Sequence, residues 1–205
     1  MKEKKIRIAV LVSGGGTNLQ ALLDAEKKKI LKSGKIVAVI SSNPEAYALK
    51  RAEKAGIPAY GLSRKELREK YEPEILSILE KEKAELIILA GFLSILSPDF
   101  ISRYPDRILN IHPALIPSFC GKGFYGLKVH EAALQYGVKV TGATVHFVNA
   151  VPDGGKIILQ KAVAVRKNDT PEILQKRVMK QAEWIILPKA AEMVSAELLK
   201  NKKGA

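Results

Sequence analysis

Asn110 and His112, two residues apart, close an apolar run in the stretch LNIHPALIP. Alternation along a strand puts positions 110 and 112 on one face, so an amide and an imidazole can converge on a single atom. An Asn amide and a protonated imidazole both donate hydrogen bonds, and each such donor aimed at a developing oxyanion is worth roughly 3 kcal/mol of barrier. Pro113 and Pro117 bracket the segment and stiffen it, which favours this reading over an Asn that caps a turn beside an ordinary core His. Another His and a carboxylate follow in VHFVNAVPDGG. Asp153, held in a Pro/Gly turn after a strand carrying His146, is expected to orient His112, raise its pKa and pass protons through water. The competing reading of Asp153 is a plain turn aspartate. His112, His146 and Asp153 also have the types of a two-His, one-carboxylate metal site, but no His pair at i, i+4 supports it, and no metal is expected.

A third set of residues, Ser13-Gly14-Gly15-Gly16-Thr17-Asn18, lies between a strand and a helix. Glycines let backbone N–H groups approach an anion, and the helix start adds partial positive charge. The turn is not a Walker loop, because no Gly-Lys-Ser/Thr follows. It also lacks the dinucleotide fingerprint, since Leu19 stands at the third glycine and the second strand ends in Ser41 and Ser42 rather than an acid. A substrate phosphate, rather than a nucleotide cofactor, is the favoured reading, and a tight turn without a ligand is the competing one.

These residues need a scaffold, and the chain supplies one by alternating short β-branched runs with longer amphipathic segments. That rhythm predicts an α/β fold: an open, mostly parallel twisted sheet with helices on both faces. Strands are expected over Ile6–Val12, Ile36–Ile40, near Ala59, Leu86–Ala90, Ile108–Ile111, Thr141–Phe147 and Ile157–Val165. The first five are apolar enough to be buried on both faces. The last two flank the turn-rich segment 149–155 and form an antiparallel edge ribbon. A helix opens at Thr17 and runs to about Lys29. Ser63 with Glu66 makes a capping box, and Pro73 restarts that helix. Thr170-Pro171-Glu172 opens another, whose apolar stripe continues until Pro188 kinks or ends it. Asn110 and His112 then sit at the C-terminal end of the fifth strand, where open α/β sheets place their ligands.

With 205 residues, 47% hydrophobic and 27% charged, the chain suits one domain over 1–205. Its apolar runs fall well short of the roughly 18 to 20 residues that cross a bilayer. The start MKEKK leads into a short strand with no small-residue cleavage site, so a cytoplasmic, membrane-free protein is expected. One cysteine, Cys120, excludes an internal disulfide and a multi-thiolate metal site. The net charge of +13, from 34 Lys and Arg against 21 Asp and Glu, suits nucleic acid, small polyanions or a Lys-rich surface. No basic run interleaved with aromatics stacks bases, so nucleic acid is not expected.

Taken together, the segments SGGGTNLQAL, SNPEAYALKRAEKAGIP, LAGFLSILSP, LNIHPALIPSF, GVKVTGATVHFV and PDGGKIILQ resemble the folate-dependent formyltransferases over nearly the whole chain. The resemblance implies a Rossmann-like formyltransferase fold and transfer of the formyl group of 10-formyltetrahydrofolate, the co-substrate, to the glycinamide amine of 5'-phosphoribosylglycinamide in purine synthesis. Asn110, His112 and Asp153 match the family's catalytic trio, with His146 beside them. Gly15, Gly16, Thr17 and Asn18 match its phosphate loop, and Glu183 with Lys180 matches the ribonucleotide position. Phe92, Leu93, Ser94, Ile95, Leu96, Ile101 and Ile108 match the wall beside the pterin, while Val148, Asn149 and Val151 lie on the segment that reads its polar edge. Departures are Ser94 for a usual Arg, Ala114 for Ser, Lys156 for Pro and Trp184 for His. Members acting on methionyl-tRNA generally carry a C-terminal extension, and the chain ends at Ala205, so small-molecule substrates are expected, with a homodimer left open. A non-catalytic nucleotide- or RNA-binding module is the rival reading.

Overall fold

The computed structural model describes residues 5–203. Among them one seven-stranded sheet contains β1 (Ile6–Val12), β2 (Gly34–Ser41), β3 (Ala59–Gly61), β4 (Leu86–Leu89), β5 (Ile108–His112), β6 (Val140–Phe147) and β7 (Ile157–Ala164). The spatial order is β3-β2-β1-β4-β5-β6-β7. Pairings from β3 across to β5 are parallel, and those of β6 with β5 and β7 are antiparallel. The expected sheet and its edge ribbon are both present. Because the chain winds outward from β1 to β3 and then returns to β4 on the other side of β1, the strand order reverses between β1 and β4. A crevice opens at the carboxyl ends of strands at such a switch point. The glycine-rich turn after β1 and the segment after β4 therefore flank one cleft.

The helices are α1 (Thr17–Lys27), α2 (Tyr47–Lys54), α3 (Arg64–Leu67), α4 (Tyr71–Lys81), α5 (Pro98–Ser102), α6 (Leu127–Tyr136), α7 (Pro171–Val178) and α8 (Trp184–Lys203). Side chains alternate across β1 and so seed two cores. Ile8, Val10 and Val12 join Leu19 and Leu22 of α1 and Leu187, Ala191 and Val194 of α8, whereas Ala9 and Leu11 join Tyr71, Ile75 and Leu79 of α4 and Phe100 of α5. Each fully buried Leu, Ile or Val contributes about 1.5–3 kcal/mol relative to exposure. Ser63 and Thr170 cap α3 and α7 by accepting from the backbone N–H groups of Glu66 and Ile173.

Three expectations are corrected. β3 lies at the sheet edge and is half-buried or exposed, not enclosed on both faces. Helix α1 stops at Lys27 because Lys29 turns left-handed at φ 56°, letting the Ile30 N–H reach back to the Ala25 carbonyl in a C-terminal cap. Pro188 does not end its helix, which continues to Lys203. An irregularity falls earlier, at a π-helical segment, Met179–Glu183. Burial of Ala190, Ala191 and Val194 holds the turns beyond the proline, outweighing the one hydrogen bond it cannot donate.

Candidate active site

Strands β5 and β6 pair with Asn110 opposite His146 and His112 opposite Thr144. Directly opposed residues share a face of an antiparallel pair, so the amide and two imidazoles gather on one side of the sheet. A bulge between Val145 and His146 in the β6–β7 pairing re-aims the strand at this point. Asp153 enters from the loop between β6 and β7 with φ 56°, a left-handed conformation that Asp tolerates better than most residues. Gly155 closes that loop tightly: a Cβ there would stand 1.7 Å from the Phe147 carbonyl oxygen.

The Asp153 carboxylate is the hub. Its Oδ2 lies 3.6 Å from His112 Nδ1 and its Oδ1 3.4 Å from His146 Nε2. The Gly121 N–H donates to Oδ2 at 2.8 Å, and Asn110 Nδ2 stands 3.4 Å from Oδ1 and 3.2 Å from His146 Nε2. Carbonyls only accept, so His112 Nε2 donates to Phe119 O at 2.8 Å and His146 Nδ1 to Phe147 O at 2.8 Å. Those bonds fix both rings and leave His112 Nδ1 and His146 Nε2 turned toward Asp153.

Electrostatics overturn one expectation. Burial pushes the His112 pKa below that of a free imidazole, and the charge of Asp153 and the Phe119 carbonyl only partly offset it. Desolvation of the nearly enclosed ring thus works against protonation of His112 and outweighs the support of a carboxylate 3.6 Å away. Burial pushes the Asp153 carboxyl up, but the His146 contact, the charge of His112 and the Gly121 N–H together hold it below the usual carboxylate range. Among the described residues no group of three or more His, Cys, Asp or Glu is arranged to hold a metal ion.

Asn110, His112, His146 and Asp153 line a cleft of about 870 Å³. Phe92, Leu93, Ser94, Ile95, Leu96 and Ile101 line the same cleft, as do Val148, Asn149 and Val151 and, from other segments, Thr17, Asn18 and Glu183. Asn18 and Glu183, 165 residues apart in sequence, meet directly, Nδ2 donating to Oε2 at 2.7 Å. Burial raises the Glu183 pKa to about 7, with the Asn18 amide opposing the shift. Gly15 and Gly16 form the turn behind Thr17 rather than the cleft surface, and Gly16, at φ 71°, would drive a Cβ to 2.7 Å from Ala48 Cβ. Ile108 is buried in the core instead.

Lys180 is exposed and does not line the cleft. Met179 does, because the π-helical bonding of Met179–Glu183 shifts the residue one turn before Glu183 back by one position. Lys156 and Trp184 also lie outside the cleft lining, while Ser94 is part of it. Sequence reasoning missed the segment from Gly121 to Gly126 with Lys128, which also lines the cleft, and it missed His130, Gln175 and Met179. A signal was available for the first of these: Gly121, Gly123 and Gly126, all at positive φ, punctuate a long connection between a strand and a helix, a common home of binding loops.

Residues 6–191 match the formyl transferase family. The chain belongs to that family. It is 41% identical over 88% of its length to the phosphoribosylglycinamide formyltransferase of Escherichia coli (strain K12), covering 83% of that protein. It is 42% identical over 96% of its length to the trifunctional purine biosynthetic protein adenosine-3 of Gallus gallus, but spans only 19% of that much longer relative. Among solved structures it resembles glycinamide ribonucleotide transformylase 1 from Symbiobacterium toebii, with a TM-score of 0.87, 39% identity and coverage of 94% of this chain and 89% of that one. The formyltransferase family and fold expected from the motifs are thus those found.

Proposed function

We propose that this formyltransferase moves the formyl group of 10-formyltetrahydrofolate to the glycinamide amine of 5'-phosphoribosylglycinamide, a step of purine biosynthesis. The observation that carries the reading is the convergence of Asn110, His112 and Asp153 in one cleft that is lined as well by apolar Phe92, Leu93, Ile95 and Leu96 and by Thr17, Asn18 and Glu183. Leu93, Ile95 and Val151 of the cleft lining are 64%, 67% and 62% exposed, an apolar concentration that a flat heterocycle would cover. The glycine-rich turn before Thr17 suits the phosphate. Bound, the folate supplies the activated formyl group. The net charge of +13 attracts both anionic reactants.

The substrate amine attacks the formyl carbon. Asn110 Nδ2–H donates to the formyl oxygen as it becomes negative, and His112 joins it as a donor only once Nδ1 has taken up a proton, because its Nε2–H is already given to the Phe119 carbonyl. His112, whose protonation burial opposes at rest, gains proton affinity as negative charge develops beside it and Asp153 stands behind it, so it holds the proton shed by the attacking amine. That proton passes to the departing nitrogen as its bond to the formyl carbon breaks, leaving His112 neutral again. His146, its Nδ1–H given to the Phe147 carbonyl, presents Nε2 to the Asn110 amide and so helps to orient it.

A spectroscopic assay for folate product, with phosphoribosylglycinamide offered against other amines, tests the reading. The wild type is expected to prefer phosphoribosylglycinamide, and His112→Ala to lower kcat by about 100-fold or more while ribose 5-phosphate binding survives. No turnover with any amine would remove the enzymatic reading.

A further inference from the structure

Behind the glycine-rich turn, α2 and the start of α1 take up the carbonyls of all three glycines. The Ala48 N–H donates to the Gly14 carbonyl at 3.1 Å and the Gln20 N–H to that of Gly16 at 2.9 Å, while Arg51 Nε donates to the Gly15 carbonyl at 2.8 Å. In a trans peptide plane the C=O of one residue and the N–H of the next point in opposite directions. Anchoring these carbonyls therefore aims the N–H groups of Gly15 and Gly16 away from α2 and that of Thr17 outward from the start of α1. Successive N–H groups held in this way form an anion-binding nest.

Of the three anchors, two are main-chain and the third is the Arg51 side chain. That guanidinium is itself constrained, since Nη1 donates to Gln20 Oε1 at 2.9 Å and the Tyr47 ring lies 5.0 Å from its carbon. Gly16 packs on the same helix, and a Cβ there would come within 2.9 Å of Ala48 Cα and 3.4 Å of Arg51 Cδ.

We infer that Arg51 is a positioning residue for the substrate phosphate: it bonds the Gly15 carbonyl, so aiming the Gly16 N–H, and adds a fixed positive charge to the turn. The identity of the phosphate-bearing substrate rests on the formyl-transfer reading above. The Tyr47 ring and the Gln20 amide hold the guanidinium in the orientation that the Gly15 carbonyl requires.

The test combines kinetics, each substrate being varied in turn, with calorimetric titration by ribose 5-phosphate on the wild type, Arg51→Gln, Arg51→Lys and Tyr47→Leu. Arg51→Gln is expected to raise both the KM for phosphoribosylglycinamide and the Kd for ribose 5-phosphate about tenfold, the scale of one lost hydrogen bond to a charged group. The KM for the formyl folate and kcat stay at wild-type values. Arg51→Lys keeps the charge but cannot bond Gly15 and Gln20 together while stacking, so it recovers only part of the affinity. Tyr47→Leu, at a position 48% exposed and so tolerant of change, weakens the same two constants about two- to fivefold. If Arg51→Gln fails to fold, the other two variants decide. Unchanged ribose 5-phosphate affinity, whether or not the melting temperature falls, overturns the inference, as does an equal rise in both KM values. A wild type that binds ribose 5-phosphate yet formylates no amine sinks the reaction and leaves the Arg51 anchor standing.

Discussion

Glu183→Gln makes a sharp test of the site's electrostatics. Glu183 is 6% exposed, and Asn18 Nδ2 is the partner of its Oε2. Burial raises its pKa from 4.5 to about 7, so in this pH range the folded protein binds more protons than the unfolded chain does. Stability then falls as pH rises, beginning near the unfolded pKa and continuing through the folded one. Taking 4.5 and about 7 as the two limits, the loss between pH 5 and pH 8 is on the order of 2–3 kcal/mol. Gln keeps the shape and an acceptor for Asn18 but cannot ionise. The variant should match the wild type near pH 5 and exceed it by about that amount at pH 8. Urea denaturation of both proteins across this range reads the difference directly. Parallel stability profiles would falsify the claim that Glu183 is a desolvated carboxyl. A stabilised variant that also binds phosphoribosylglycinamide more weakly would show a site residue kept at a cost in stability.

Two further predictions concern the trio. Asp153→Asn removes the carboxylate charge that partly supports protonation of His112, so the His112 pKa should drop further; proton NMR titration of the imidazoles checks this, and a rise would contradict the assigned geometry. The same variant should lose about 100-fold or more in kcat. Gly155→Ala would force a Cβ to 1.7 Å from the Phe147 carbonyl oxygen, parting β6 from the Asp153 turn. A destabilisation of about 2 kcal/mol or more is expected, together with a fall in turnover; wild-type melting behaviour would show that the turn yields easily.

Most strand positions were legible because each strand is a short β-branched run between punctuating turns, as in Ile6–Val12, which the structure reproduces residue for residue. The caps at Ser63 and Thr170 were equally legible, since side-chain capping is a local interaction. The failures were non-local. The degree of burial at β3 depends on the sheet having no further strand beyond it, and the helix beyond Pro188 persists because distant side chains bury its inner face. Lys180 was misplaced for a related reason: the spacing of residues on a helix face changes in a π-helical segment, and nothing local marks where one forms.

Residue types and spacing alone put Asn110 and His112 on one strand face, a glycine turn before Thr17, and a carboxylate in a turn after the His146 strand, because those placements follow from backbone periodicity and turn chemistry. Only the tertiary structure decided that Asp153 joins His112, His146 and the Gly121 amide, that Asn18 meets Glu183, and that burial pushes the His112 pKa down. Proximity across such separations, and the desolvation that governs charge, are properties of packing, and no stretch of the chain carries them by itself.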